Sequence, residues 1–534
     1  MTTITGDLII GSSFVTSGQR SFRATNPATS VRLDPVFAFA GDAEVDRAAE
    51  LAWSAFDRYR ETDLETRAHF LETIADNIMD LGDALIERGT AETGLSAARF
   101  GIERARTVNQ LRLFARVVRQ GEWLDLRIDP ALPDRKPFPR PDLRLREIAI
   151  GPVAVFGASN FPLAFSVAGG DTAAALAAGC PVIVKGHPAH PGTGELIGRA
   201  IQAAVASCGL PEGVFSLLLG AAETGAALVR HPRIKAVGFT GSRGAGTALV
   251  AIAAARAEPI PVYAEMSSIN PVFILPAALA ERTEAIAKSY VDSLALDSGQ
   301  YCTNPGLVFA LDGPDLEAFL AHTQAAIATK HAQSMLTAGI HEAFDKGVDA
   351  LAGHPDVQTI GRGLTGDAEN STPPALFLTE AKSFETDEKL GHEVFGASSL
   401  VVRCRSIEEM IEAAERMEGQ LTATLQLDEA DIDTARRLMP TLERKVGRIL
   451  ANGWPTGVEV SHAMVHGGPF PATSDSRSTS VGTLSIRRFL RPVSYQNLPD
   501  ALLPTVLQAK HQIRLPRLVD GQHLEGWGEP EPTQ

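Results

Sequence analysis

An α/β fold with parallel, doubly wound sheets is predicted for this chain, and three observations predict it. Short apolar runs recur from Gly151 onward, as in Val153-Ala-Val-Phe-Gly, Val182-Ile-Val-Lys, Val214-Phe-Ser-Leu-Leu-Leu, Ala236-Val-Gly-Phe-Thr and Pro261-Val-Tyr-Ala-Glu. Helical stretches rich in small residues lie between them, at Asp171–Ala178, Gly194–Cys208, Glu223–Arg230 and Gly244–Arg256. Strands alternating with helices of this length build βαβ units. Third, the chemically unusual residues sit just after the apolar runs, where such sheets bind ligands.

In chain order, residues 1–30 read as short strands and turns, with Asp-Leu-Ile-Ile-Gly and Asn26-Pro-Ala-Thr. From Gly41 to about Gly121 apolar residues recur at spacings of three and four: Val45, Ala48, Ala49, Ala52 and Phe56, then Phe70, Leu71, Ile74, Ala75 and Ile78. That is the period of amphipathic helices, with Asp42 and Asp63 as candidate N-caps. The last helix carries Arg99, Arg104, Arg106, Arg112, Arg116 and Arg119. Most of these suit a solvated face, and one or two suit a substrate carboxylate. Residues 123–150 change character. Leu-Asp-Leu-Arg-Ile and Leu143-Arg-Leu-Arg-Glu-Ile-Ala-Ile alternate on either side of Pro130, Pro133, Pro137, Pro139 and Pro141. Two amphipathic strands cannot bury themselves, so an arm that pairs with another subunit is expected, joined by a strand at Thr483-Leu-Ser-Ile-Arg-Arg-Phe-Leu-Arg. From Asn270 to about Gly482 strands and helices alternate again, giving a second α/β unit. The tail after Pro504 shows no periodicity.

Composition narrows the function classes. The chain has 534 residues, 44% hydrophobic and 21% charged, as expected of a globular enzyme of two or three domains. A net charge of −15 argues against a nucleic-acid partner and requires a local basic pocket for any anionic substrate. No apolar stretch reaches membrane-spanning length, and the N-terminus lacks a signal-peptide pattern. Four cysteines at irregular spacing form no zinc pattern and suit the reducing cytoplasm, so a cytoplasmic protein without a metal site is expected.

The candidate chemistry centres on Asp297-Ser-Gly-Gln-Tyr-Cys-Thr-Asn-Pro-Gly306. Cys302 alone among the cysteines lies in a polar, glycine-bounded turn, where a thiolate would be a strong nucleophile; otherwise it is a small buried hydrophobe. Phe239-Thr-Gly-Ser-Arg-Gly-Ala-Gly246 runs from a strand into a helix. Gly241, Ser242 and Gly246 there suit a phosphate at a helix N-terminus, or simply a tight turn. Lys185 ends a strand, either toward an adenosine ribose or into solvent. Glu265 ends another, as a rim residue or as a base in a partly apolar cleft. Asn160 is placed to donate to an oxyanion or to cap a helix.

Asn160 in Asn-Phe-Pro, Lys185, Phe-Thr-Gly-Ser with its later glycine, Glu265, Cys302 and Glu393-Val-Phe-Gly occur in an order that resembles the aldehyde dehydrogenase superfamily over nearly the whole chain. The resemblance implies Cys302 as nucleophile, Glu265 as general base and Asn160 as oxyanion donor. It implies Gly241, Ser242 and Gly246 at the pyrophosphate, and Glu393 and Phe395 at the nicotinamide ribose and ring. Ser267-Ser268 and Lys185-Gly-His-Pro depart from the commonest pattern and resemble the branch of α-ketoglutaric semialdehyde (2,5-dioxovalerate) and NADP-linked long-chain aldehyde dehydrogenases. A Rossmann-type cofactor domain over 1–122 and 146–268, a catalytic domain over 269–482, an oligomerisation arm over 123–145 and 483–500, and a tail over 501–534 are then expected. So is a homodimer or homotetramer. Pro188 stands where a ribose-binding carboxylate is common, so Lys185 and His187 favour NADP modestly over NAD, although Glu223 speaks against it. Aliphatic aldehydes and, more remotely, acylation of coenzyme A are the alternatives. A thiol hydrolase would need a histidine partner for Cys302, and none of the 13 histidines sits in a recognisable partner motif.

Overall fold

The computed structural model describes residues 3–16, 20–509 and 515–524. Its first sheet has seven strands in the order Val262–Glu265, Ala236–Thr240, Val153–Phe156, Val182–Lys185, Phe215–Leu218, Leu8–Ile10 and Ser13–Val15. The first five are parallel, and the N-terminal hairpin closes one edge antiparallel. The parallel strands are buried on both faces. Val153 and Val155 pack into one apolar cluster while Ala154 and Phe156 pack into the other. A strand covered on both faces reads as an unbroken apolar run, which is why these were recognisable. The helices between them are Gly170–Ala178, Pro191–Ser207, Ala222–Arg230 and Arg243–Ala254.

A second seven-stranded sheet runs Val357–Arg362, Ala375–Glu380, Ser398–Cys404, Leu307–Leu311, Pro271–Ile274, Gln420–Gln426 and Val446–Ala451, parallel except at its first strand. It too is covered on both faces. The N-terminal helices fall where the periodicity put them. Asp63 caps Leu64–Asp80, accepting from Thr66 N–H at 2.8 Å. Asp42 does not cap: it is the first residue of Asp42–Arg60, Gly41 holds the cap position, and the Glu44 carboxylate accepts from the Gly41 N–H. Ser96 and Gly121 (φ +71°) bound the arginine-bearing helix Ala97–Gln120.

The arm strands are Leu126–Asp129 and Leu143–Ala149, within a five-stranded sheet ordered Leu490–Gln496, Leu143–Ala149, Leu126–Asp129, Arg517–Val519, Gln522–Leu524. The C-terminal partner is displaced from its expected place. Thr483–Phe489 is a short helical turn, and the strand begins only at Leu490. Burial explains the shift: Arg488, 3% exposed, turns inward to pair with Asp171 at 2.7 Å beneath helix Gly170–Ala178, so this segment cannot alternate in and out. Part of the expected tail also enters the arm sheet, through Arg517–Val519 and Gln522–Leu524, and its start forms short helical turns at Asp500–Leu502 and Thr505–Leu507; 510–514 and 525–534 lie outside the described residues.

Candidate active site

The carboxyl ends of the first sheet converge on a cavity of about 750 Å³. Parallel pairing sets Thr240 beside Glu265, and the Gly241 N–H donates to the Glu265 carbonyl at 3.1 Å. The glycine turn therefore stands next to the carboxylate. Ser242 caps helix Arg243–Ala254, accepting from Ala245 N–H. Gly241 is not there for an unusual φ. A side chain at Gly241 would meet the Phe239 ring at 2.8 Å, one at Gly246 would meet Met266 Sδ at 2.7 Å, and one at Gly225 would meet Phe156 at 2.8 Å. Bare backbone and a helix N-terminus together suit a pyrophosphate. Asn160, Lys185, His187, Gly241, Ser242, Glu265, Cys302, Glu393 and Phe395 all line this cavity; Gly246 sits behind it against Met266. Burial lowers Lys185 to about 8 and depresses His187, whose ring stacks on His190 at 5.4 Å. Glu393 is pushed up to about 8, first by removal from water and then by the Glu265 charge.

The Cys302 turn is held in a demanding conformation. Asp297, Ser298 and Gly299 have φ of +46°, +59° and +66°. Left-handed backbone at two consecutive non-glycine residues costs energy and persists only when its surroundings hold it. Here Arg99 and the Tyr301 hydroxyl bind the Asp297 carboxylate, and Ser298 donates twice to Gln333, from its N–H to the side-chain amide oxygen and from its hydroxyl to the carbonyl. Asn270 (φ +51°) donates to the carbonyls of Cys302 and Asn304, each at 2.9 Å. Asn160 Nδ2 donates to the Gln300 carbonyl at 3.1 Å, so its amide lies on the nucleophile loop.

A histidine completes the cluster, contrary to the expectation that none partners Cys302. His466 Nε2 lies 3.4 Å from Cys302 Sγ and 3.3 Å from Glu265 Oε2. The imidazole is fully buried, and among the described residues neither its Nδ1 nor either Glu265 oxygen has a hydrogen-bond partner. Burial, reinforced by the Glu265 charge, raises the Cys302 thiol well above its ordinary pKa. The resting cysteine is therefore a thiol, with the His466 imidazole and the Glu265 side chain beside it. That combination suits a nucleophile deprotonated only when it attacks.

The chain matches the aldehyde dehydrogenase family over residues 14–469. It belongs to that family. Aldehyde dehydrogenases of known name are similar along almost its whole length. It is 59% identical to the α-ketoglutaric semialdehyde dehydrogenase 2 of Azospirillum brasilense, covering 97% of this chain and 99% of the relative. It is 48% identical to the α-ketoglutaric semialdehyde dehydrogenase of Acinetobacter baylyi, covering 90% and 91%. Among solved structures, a betaine aldehyde dehydrogenase from Staphylococcus aureus in complex with NAD+ superposes with a TM-score of 0.79 at 18% identity, over 93% of this chain and 98% of that one. Membership makes this aldehyde dehydrogenase an oxidoreductase acting on the aldehyde group with a nicotinamide cofactor, and the cavity has the glycines, helix N-terminus and size to hold one. Among the described residues, no helix is long and apolar enough to cross a membrane.

Beyond the residues named from sequence, the aldehyde dehydrogenase site contains His466 and Asn270. The signal for His466 was slight: Met464-Val-His-Gly-Gly-Pro places an imidazole between apolar residues and a glycine pair. Asn270 was visible only as the residue opening a strand.

Proposed function

We propose that this enzyme oxidises 2,5-dioxovalerate to 2-oxoglutarate, with Cys302 as nucleophile, Glu265 as hydrolytic base and Asn160 as oxyanion donor. The near full-length similarity to two relatives named for that semialdehyde supports the substrate. The Cys302–His466–Glu265 cluster supports the chemistry.

Cys302 Sγ attacks the aldehyde carbon as its proton passes to the His466–Glu265 pair. The oxyanion that develops is met by the Asn160 amide and the Cys302 N–H, donors that act on charge formed only during reaction. Gly241, Ser242, Glu393 and Phe395 would hold a nicotinamide cofactor in the cavity, and that group would supply the acceptor for the hydride leaving the aldehyde carbon. The acyl group left on sulfur is a thioester. Glu265, whose oxygens are otherwise unpartnered, takes a proton from water as the water attacks, and Cys302 leaves as the thiol. A base with free oxygens beside the sulfur supports hydrolysis rather than transfer to coenzyme A.

For the cofactor, the reading is dual use with modest preference for NADP. The cavity end near Lys185 and His187 is lined by Ala221 and Ala222, while Glu223 is exposed and off the lining. No carboxylate there opposes a 2′-phosphate. The first sheet and its helices form the cofactor domain, the second the catalytic domain, and the arm joins subunits of a homo-oligomer in the cytoplasm. The arm tip supports that role, with Phe138 74% and Leu132 39% exposed.

Steady-state kinetics with a panel of semialdehydes and alkanals test the substrate. The expected result is a higher kcat/KM for 2,5-dioxovalerate than for pentanal. The reverse order overturns the reading.

A further inference from the structure

We propose that Arg106, with Arg448 behind it, is the anion-binding group of the substrate site and selects aldehydes that end in a carboxylate. This deepens the substrate reading above and rests on it for the identity of the anion. The arginine-rich helix Ala97–Gln120 offers six guanidinium groups, and the structure separates them. Arg99 is consumed by Glu103, Asp297 and Tyr301. Arg104 donates to the Gly82 carbonyl, Arg112 pairs with Asp76, and Arg119 is shared by Glu65 and Glu72. Arg116 is exposed.

Arg106 differs from all of these. Its guanidinium lies over the Phe165 ring at 5.1 Å, and that ring packs against His466 at 5.9 Å. One aromatic ring thus separates the cation from the imidazole that touches Cys302. Nη2 reaches only the Val458 carbonyl, at 3.4 Å, and Nη1 is buried without a partner. A buried donor left unpaired is costly, and a carboxylate is the acceptor a guanidinium fork fits best. The protein's own carboxylates do not serve. The two Glu103 oxygens accept from Leu163 N–H, Ala164 N–H and Arg99, and Glu459 is exposed.

Arg448 approaches the same chain segment. It donates to the carbonyls of Gly457 and Pro455, each at 2.7 Å, beside the Val458 carbonyl that holds Arg106, and its Nε is buried and unpartnered. The charges of both arginines interact with Cys302, and that of Arg106 opposes the rise in its thiol pKa. Neither arginine lines the cofactor cavity. On a chain of net charge −15, this pair of cations beside the nucleophile is what an anionic substrate requires.

The test compares wild type with Arg106→Gln and Arg106→Lys, using 2,5-dioxovalerate and pentanal as substrates and glutarate as a non-reacting dianion. Arg106→Gln is expected to lose roughly ten- to a hundredfold in kcat/KM for 2,5-dioxovalerate, mostly through KM, with pentanal changed less than about threefold. Arg106→Lys should recover part of the loss, and glutarate should compete with aldehyde in wild type but not in Arg106→Gln. NADP binding, unchanged in both variants, establishes that they fold. Equal losses on both aldehydes, or equal inhibition of wild type and variant by glutarate, overturn the assignment of Arg106. A wild-type preference for pentanal, with glutarate inhibition still dependent on Arg106, overturns the substrate reading and leaves the arginine assignment standing.

Discussion

Cys302, His466 and Glu265 share one imidazole nitrogen, and that sharing shapes what substitution should do. Nε2 carries either a proton or a lone pair, so it serves the thiol or the carboxylate but not both in the same way. Cys302→Ala should abolish aldehyde oxidation while NADP still binds, measured by turnover and by cofactor titration. Glu265→Gln should keep a rapid first turnover seen as a burst of reduced cofactor, with steady-state rate lower by roughly a hundredfold or more. Absence of the burst would move Glu265 from hydrolysis to attack. Lys185 yields a prediction with a sign. Burial lowers it to about 8, so the free enzyme holds the ammonium form below that pH and loses it above. NADP binding favours the charged form, so NADP affinity should fall as pH rises from about 8, by at most about tenfold per pH unit, while NAD affinity stays level. Titrating both cofactors at pH 7, 8 and 9 checks it. Cys302, Glu265 and Lys185 stood out in the sequence because each ends a strand or sits in a polar turn, and one cavity is lined by all three. His466 was not, because it reaches Cys302 from a non-repetitive segment far along the chain.

At the scale of elements, the strands and helices were legible wherever one period held without interruption. Ile407–Arg416 falls where its pattern ends, and the five parallel strands of the first sheet agree to within a residue. Legibility failed where tertiary burial overrode the local pattern. Thr483–Phe489 alternates like a strand, yet the buried Arg488–Asp171 pair winds it into a turn. That pair joins the turn to helix Gly170–Ala178, and Gly238 leaves room for it, since a side chain there would meet Asp171 at 2.8 Å. Arg488→Met should strand a buried carboxylate and cost about 3–5 kcal/mol. Urea unfolding measures this as a lowered midpoint; an unchanged midpoint would show that Asp171 finds water or another partner.

At the scale of the whole molecule, the arm sheet is one of four sheets among the described residues, and it is the one proposed to meet another subunit. Phe138 at its tip is an apolar side chain left 74% exposed. Replacing residues 131–139 with a short glycine-serine link should lower the particle mass seen by light scattering without removing cofactor binding. An unchanged mass would place the subunit contact elsewhere. The arm sheet also carries a consequence for synthesis. Leu126–Asp129 pairs in parallel with Arg517–Val519, and Leu143–Ala149 pairs with Leu490–Gln496, so early strands wait for partners translated much later in the chain. The ribosome adds residues far more slowly than a sheet can zip, and domains earlier in the chain fold as they emerge. The first sheet, which takes its strands from Leu8 to Glu265, is complete while the two arm strands, paired with each other, still lack their outer partners. Completion of the arm sheet, and with it the subunit joining proposed for it, therefore comes only after residues 517–524 have been made.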